Sequence, residues 1–278
     1  MQIPFFKYQA TGNDFVMIDN RECKYNLSKK QVAFVCNRHL GVGSDGLILL
    51  ESIASNAGST PVAFRMCFYN PDGTSGMMCG NGGRAVVAFA YKCGIKPIGN
   101  TYTFMAPDAQ HKAWIEQENE NIFNIKLSMS NVSGSTIKEY NEGVFLNTGT
   151  NHFVCFVSDT ETIDIRTQGA KIRYDKRFQT IGGTNCNFVQ QIDKYTIKIR
   201  TYERGVENET LSCGTGITAS AIAYAHKNNL AIDNVAINAK GGNLKVFFNK
   251  DSQGNYNNVF LQGKAQEVFA GSIELFLE

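Results

Sequence analysis

The chain of 278 residues carries 27 Lys plus Arg against 25 Asp plus Glu. A net charge of +2 gives no broad positive field for a phosphate backbone, so nucleic acid is not an expected partner. With 43% hydrophobic residues, 19 Phe and 11 Tyr, it has apolar surface enough for one large or two ordinary domains, which excludes bulk disorder.

No uncharged apolar stretch approaches the ~20 residues of a membrane span. The opening MQIPFFKYQATGNDF has neither a basic nor a hydrophobic signal region. A cytoplasmic protein with no membrane partner is therefore expected. In chain order, FVMID at 15–19 reads as a first strand. Ser28 followed three residues later by Gln31 predicts a capping box, opening a helix that runs to Arg38 or His39 and stops by Gly41. GLILL, VAFRMCFY and NIKLSM read as strands on either side of a helix that follows Cys79 and ends at Cys93-Gly94. HFVCFV, YTIKIRTY and LKVFF are further strands, the last after a helix that follows Cys213, and EVFAGSIELFLE is a terminal one. The class is α+β, a β-rich wall around a central helix in each half.

The two halves are suggested by self-similarity. CGNGGRAVVAFAY at Cys79 matches CGTGITASAIAYA at Cys213, and TGNDFVMID matches TGTNHFVCFVSD. Arg38 matches Arg177, Asp45 matches Asn185, and Tyr69-Asn70 matches Tyr202-Glu203. Five pairs in one order, at offsets between 133 and 140 residues, point to an internal duplication. Domains of 1–131 and 132–265 are expected, with 266–278 returning to the first.

The duplicated cysteines carry the chemistry. A helix start leaves N–H groups unsatisfied and bears positive partial charge, which eases ionisation of a thiol placed there. Gly80 and Gly82, and again Gly214 and Gly216, let an anion approach the backbone. Two thiols on opposite faces of one small carboxylate would suit racemisation, in which a base removes the α-proton and an acid returns one to the other face. The charge that develops on the carboxylate would be held by the helix starts, with no cofactor and no metal expected.

The other six cysteines, Cys23, Cys36, Cys67, Cys93, Cys155 and Cys186, form no CxxC and are read as small buried hydrophobes. His39, His111 and His226 are read as surface or capping residues, whereas His152 falls in the counterpart of GNDF and is a site candidate. Glu203-Arg204 is a charged pair of the kind usually found on a solvated face, but the repeat places it level with Asn70 beside the site.

GNDF at 12–15, NPDGTSGMMCGNGGR at 70–84 and ERGVENETLSCGTG at 203–216 closely resemble the diaminopimelate epimerase family, over nearly the whole chain. The resemblance implies two pseudo-symmetric β-barrel-like halves, each around a central helix. It also implies a cofactor-independent isomerase that interconverts LL- and meso-2,6-diaminopimelate, in lysine and peptidoglycan-precursor synthesis. Its partner would be that small molecule, and a homodimer is compatible with it. By the same resemblance Cys79 and Cys213 are the two catalytic thiols. Gly80, Asn81, Gly214 and Thr215 would hold the reacting carboxylate, and Asn13 would contact substrate. Asn70, Asn185 and Arg204 would read the distal head, and Glu203 and His152 would tune the thiols and meet the amine. Gly46, where relatives carry Gln, and Thr150 and Asn151, where Asn and Pro are common, depart from the pattern and receive no role. One extra residue separates Glu203 from Cys213. A proline racemase or hydroxyproline epimerase would read MCGH where this chain reads MCGN, and an amino-acid-binding protein would leave both thiols idle.

Overall fold

A strand whose successive residues are all apolar needs cover on both faces. Phe15 to Ile18 and Leu47 to Leu50 are such runs, and all eight residues are buried. They lie in β2 (Asn13–Asp19) and β3 (Leu47–Glu51), which pair in parallel with Val16 opposite Leu47. The crossover between them is α1 (Lys29–Cys36), whose Val32, Val35 and Cys36 pack on Val16, Ile18, Leu47 and Leu49. Its capping box forms as expected: Ser28 Oγ accepts from the Gln31 N–H while Gln31 Oε1 accepts from the Ser28 N–H. The helix stops earlier than expected, at Asn37, because the Asn37 side chain accepts from the N–H groups of His39 and Leu40 and turns the chain away.

The structure, a computed structural model, describes residues 1–53 and 62–275. Residues 276–278 of the expected terminal strand thus lie outside the described residues. The chain divides into two compact units, one from Met1 to Leu127 with the chain from Gly263 onward, the other from Ser128 to Gln262.

In the first unit β1 (Gln2–Ala10), β2, β3, β4 (Phe64–Tyr69), β5 (Tyr102–Met105), β6 (Gln110–Asn119) and β7 (Ile122–Ser128) pair in that order. The last strand, β16 (Tyr256–Glu274), pairs antiparallel with both β7 and β1, with Lys264 opposite Asn124 and Ile273 opposite Ile3. Eight strands therefore close on themselves, leaving no free edge. Inside runs α2 (Gly80–Lys92), the crossover between β4 and β5, buried from Gly80 to Ala90. It ends at Cys93 with Gly94 following at φ +80°, as the sequence predicts. His111, expected as a surface or capping residue, is buried on β6, stacked on Phe104 and bonded to Asp108. The strand's inward alternation places it there.

The second unit repeats the order of elements. Here β8 (Lys138–Tyr140), β9 (Gly143–Asn147), β10 (Asn151–Phe156), β11 (Asn185–Gln191), β12 (Thr196–Glu203), β14 (Asn234–Ala239), β15 (Gly242–Lys250) and the opening of β16 are neighbours in sequence. β13 (Asn208–Thr210) folds back on β12. The parallel crossovers are α3 (Ile165–Arg173), between β10 and β11, and α4 (Gly214–Lys227), between β12 and β14. The sequence reading has no counterpart of α3. The helix is polar but for Ile165, Gly169, Ala170 and Ile172, and Asp164 caps it by accepting from the Thr167 N–H. α4 is the central helix, with Gly216 to Ala225 buried. Among the described residues no helix is long and apolar enough to cross a membrane.

Candidate active site

Each central helix starts at a cysteine. Cys79 is the N-cap of α2 with φ −114° and ψ 119°, and Cys213 is the N-cap of α4 with φ −117° and ψ 109°. Neither side chain caps its own helix, so the thiol is left for other work and the first-turn N–H groups lack intrahelical partners.

In the first unit, Asn13 opens β2 directly after a turn in which Thr11 and Gly12 have φ of 51° and 83°. Its Oδ1 accepts from Cys79 Sγ at 3.6 Å and from Asn81 Nδ2 at 3.2 Å. Its Nδ2 donates to Asp45 Oδ2 at 2.7 Å. Behind it Asp14 is half-buried, yet the guanidinium of Arg38, Lys7 and a hydrogen bond with Asp45 outweigh that burial and hold its carboxyl down at about 2. The Asn13 amide is thus clamped by a carboxylate on one side and by the helix start on the other. Arg84, one turn into α2, has no exposed surface. It donates to Gly80 O, Asn81 Oδ1 and Thr11 Oγ1 at 3.1, 2.9 and 2.7 Å.

In the second unit, His152 of β10 is fully buried against the start of α4. Thr201 donates to Asn187 Oδ1 at 3.0 Å, which turns the Asn187 amide nitrogen to His152 Nδ1 at 3.0 Å. Nδ1 therefore accepts, and the proton of the neutral ring sits on Nε2. Nε2 lies 2.9 Å from Thr150 Oγ1 and 3.0 Å from Thr215 Oγ1. Thr215 Oγ1 in turn lies 3.5 Å from Cys213 Sγ. Burial, with the Arg204 charge adding to it, lowers the His152 pKa to about 3, so the ring is neutral at pH 7. Gly216 is required by this packing, since a Cβ there would fall 2.5 Å from Asn187 Oδ1 and 3.1 Å from His152 Cε1.

Asn185 links the far side of this cluster. Its Oδ1 accepts from the Arg204 N–H at 2.8 Å, and its Nδ2 donates to Asn151 O at 2.9 Å and Thr150 Oγ1 at 3.4 Å. The Arg204 guanidinium meets Gly182 O at 3.5 Å and has no carboxylate partner among the described residues. Glu203, beside it at the end of β12, is half-buried.

The structure therefore gathers Asn13, Gly80 and Asn81 around Cys79, and His152, Asn185, Arg204, Gly214 and Thr215 around Cys213. The Asn70 amide is engaged within its own turn, donating to Thr74 Oγ1 at 3.1 Å. At Gly46 a side chain would collide with Phe68 and Tyr69, a Cβ falling 2.4 Å from the Phe68 ring. Arg84, Thr11, Asp45, Thr150, Asn187 and Thr201 join the two clusters without having been expected there. The available signals are a lone arginine in the small apolar run GGRAVVAFA and a lone asparagine in the buried strand CNFV.

The diaminopimelate epimerase family model matches residues 5–133 and 144–268. The chain belongs to the diaminopimelate epimerase family. Among its relatives, the diaminopimelate epimerase of Flavobacterium psychrophilum is 47% identical over 271 residues, covering 96% of this chain and 99% of the relative. That of Aquifex aeolicus is 39% identical, covering 97% of each. Two solved structures share the fold at far lower identity. A PhzF-family phenazine biosynthesis protein from Bacillus anthracis has a TM-score of 0.73 at 14% identity, covering 99% of this chain and 100% of its own. A hydroxyproline epimerase from Agrobacterium vitis, with trans-4-OH-L-proline bound, has a TM-score of 0.67 at 12% identity, covering 98% and 92%. The family's fold is thus the one described above, two β-rich units each wrapped around a central helix.

Proposed function

We propose that this chain interconverts LL- and meso-2,6-diaminopimelate by a two-base mechanism, with Cys79 and Cys213 as the bases. One thiolate takes the α-proton, forming S–H as the C–H bond breaks. The other thiol gives its proton to the opposite face, forming the new C–H as its S–H breaks. The chain returns to its starting charge after each turnover with the protonation of the two sulfurs exchanged. The observation that carries this reading is the placement of a thiol as N-cap, unused for capping, on the buried central helix of both units in a chain of this family.

In this reading the substrate's reacting carboxylate takes the first-turn N–H groups at Gly80, Asn81, Gly214 and Thr215, and Asn13 contacts the substrate beside Cys79. As charge builds on that carboxylate, donors already in place stabilise it without reorganising. Arg204, a planar cation with no carboxylate partner among the described residues, suits the distal carboxylate, with Asn185 holding its backbone and Asn70 completing the grip. His152 and Glu203 tune the thiols. The enzyme works in the cytoplasm on a small molecule, with no cofactor, metal, nucleic acid or membrane in the reaction.

The experiment is incubation of the purified, reduced protein with LL-diaminopimelate, without pyridoxal phosphate or added metal, followed by chiral separation. The meso isomer should appear, and in heavy water its α-carbon should carry solvent deuterium. Cys79→Ala and Cys213→Ala should each abolish conversion while substrate binding stays measurable. Full activity in either variant refutes the two-thiol route, and turnover of proline or hydroxyproline instead would move the substrate assignment.

A further inference from the structure

The buried parts of the two central helices differ in one charge. Arg84 is the fifth residue of α2 and Thr218 the fifth of α4, and each donates to the carbonyl of its helix's first residue: Arg84 to Gly80 O at 3.1 Å, Thr218 to Gly214 O at 3.0 Å. They hold the same place in the two units, but one is a guanidinium and the other a neutral hydroxyl.

A fully buried guanidinium is normally matched by a carboxylate, because a charge out of water is costly. Arg84 has no such match. Its three acceptors, Gly80 O, Asn81 Oδ1 and Thr11 Oγ1, are neutral, its Nε is buried without a partner, and no carboxylate lies within ion-pair distance among the described residues. What it touches is the frame of the Cys79 cluster. Asn81, oriented by Arg84, donates to the Asn13 oxygen that Cys79 Sγ also meets. Thr11 sits in the turn that delivers Asn13. One side chain thus ties the loop, the amide pair and the helix start together.

We propose that Arg84 is a positioning residue of the first half-site: it fixes the Asn81 and Asn13 amides around Cys79 and supplies a fully buried positive charge at the start of α2, where the counterpart in α4 is the neutral Thr218. Burial keeps its pKa down at about 10, and Cys79 is the titratable group that pulls it back up, as expected of a cation that faces this thiol and no carboxylate. Any anion at the start of α2, whether thiolate or substrate carboxylate, meets helix dipole plus guanidinium. At the start of α4 it meets the dipole with neutral Thr215 and His152, the cation of that cluster being Arg204, just past the end of β12 rather than in the helix. The role rests on Cys79 reacting as proposed above, but the charge itself is measurable without turnover.

The test compares alkylation by anionic iodoacetate and neutral iodoacetamide, resolved at Cys79 and Cys213 by peptide mass spectrometry, in the reduced wild-type chain, Arg84→Met and Arg84→Lys. The rate ratio of the two reagents cancels the thiol's own ionisation and reports local charge. In Arg84→Met the iodoacetate preference at Cys79 should fall about tenfold, the low end for a charge a few ångströms away. It should stay within about threefold of wild type in Arg84→Lys, and the ratio at Cys213 should change less than at Cys79. Cys36 and Cys186, more deeply buried than Cys213, must remain unlabelled, which certifies a folded chain. An unchanged Cys79 ratio in folded Arg84→Met overturns the proposal. If that variant labels Cys36, the wild type decides: an iodoacetate preference at Cys79 no higher than that of the small neutral thiol 2-mercaptoethanol overturns it equally. Failure of the wild type to make the meso isomer would count against the function and leave these ratios as they are.

Discussion

His152 offers a measurement of how the second half-site is built. Its folded pKa of about 3 lies below the ordinary 6.5, so the unfolded chain takes up the proton more readily. The stability it contributes is complete above pH 6.5 and is lost as the pH falls below that value toward 3. At pH 5 the ring is still neutral in the folded chain and almost wholly protonated in the unfolded one. From pH 7 to 5 this one group should therefore remove about 2 kcal/mol of stability. His152→Gln has no such group, but it leaves Asn187 or the threonines short of a partner, a cost of about 1–3 kcal/mol that does not depend on pH. The two proteins should therefore differ clearly at pH 7 and converge near pH 5. Guanidinium unfolding followed by circular dichroism at both values gives the comparison. Nitrogen-15 NMR of the wild-type ring should show a neutral Nε2–H tautomer that does not titrate between pH 8 and 5. Equal pH dependence in the two proteins, or a ring that titrates near 6.5, would refute the buried, Asn187-locked histidine.

Gly216→Ala gains helix propensity of under about 1 kcal/mol but pushes a methyl into Asn187 and His152, so a net loss of about 1–2 kcal/mol is expected in thermal or denaturant unfolding. Activity should fall with it, measured as conversion of LL-diaminopimelate. Ser28→Ala removes the N-cap of α1 and should cost about 1 kcal/mol by the same unfolding assay. Phe178→Ala deletes a buried ring stacked on Phe145 at 5.3 Å and packed on Phe153 at 5.5 Å, and about 3–5 kcal/mol should be lost on unfolding.

The parts of this molecule that local chemistry dictates were legible as sequence. Ser28 with Gln31 marks a helix start through two reciprocal bonds, Gly94 marks a helix end through its positive φ, and CGNG and CGTG mark two buried helices by glycine and small-residue content. α3 was not legible, because a helix that buries little more than Ile165 and Gly169 shows no apolar stripe, and only the Asp164 cap announces it. The polar frame of the sites was hidden for a different reason. Asn187 reaches His152 because β10 and β11 run parallel with His152 opposite Asn185, and Thr201 reaches Asn187 because the two are direct partners in β11 and β12. Such neighbours are made by strand register across dozens of residues, and no local spacing encodes it. Arg84 shows the same limit, since a charge in an apolar helix is visible, whereas its lack of a carboxylate is a property of the folded surroundings.

The double duty of β16 bears on how the chain comes to be folded. The first unit's barrel is closed by residues made only after the whole second unit has been synthesised. Until then β1 and β7 are both open edges, able to pair with any passing strand. The usual order, in which the part made first finishes first, is thereby reversed. The second unit can complete its ladder as it emerges, whereas the unit that holds Cys79 must wait. The period in which the nascent chain is most prone to pair with the wrong strand is set by the synthesis of the other half.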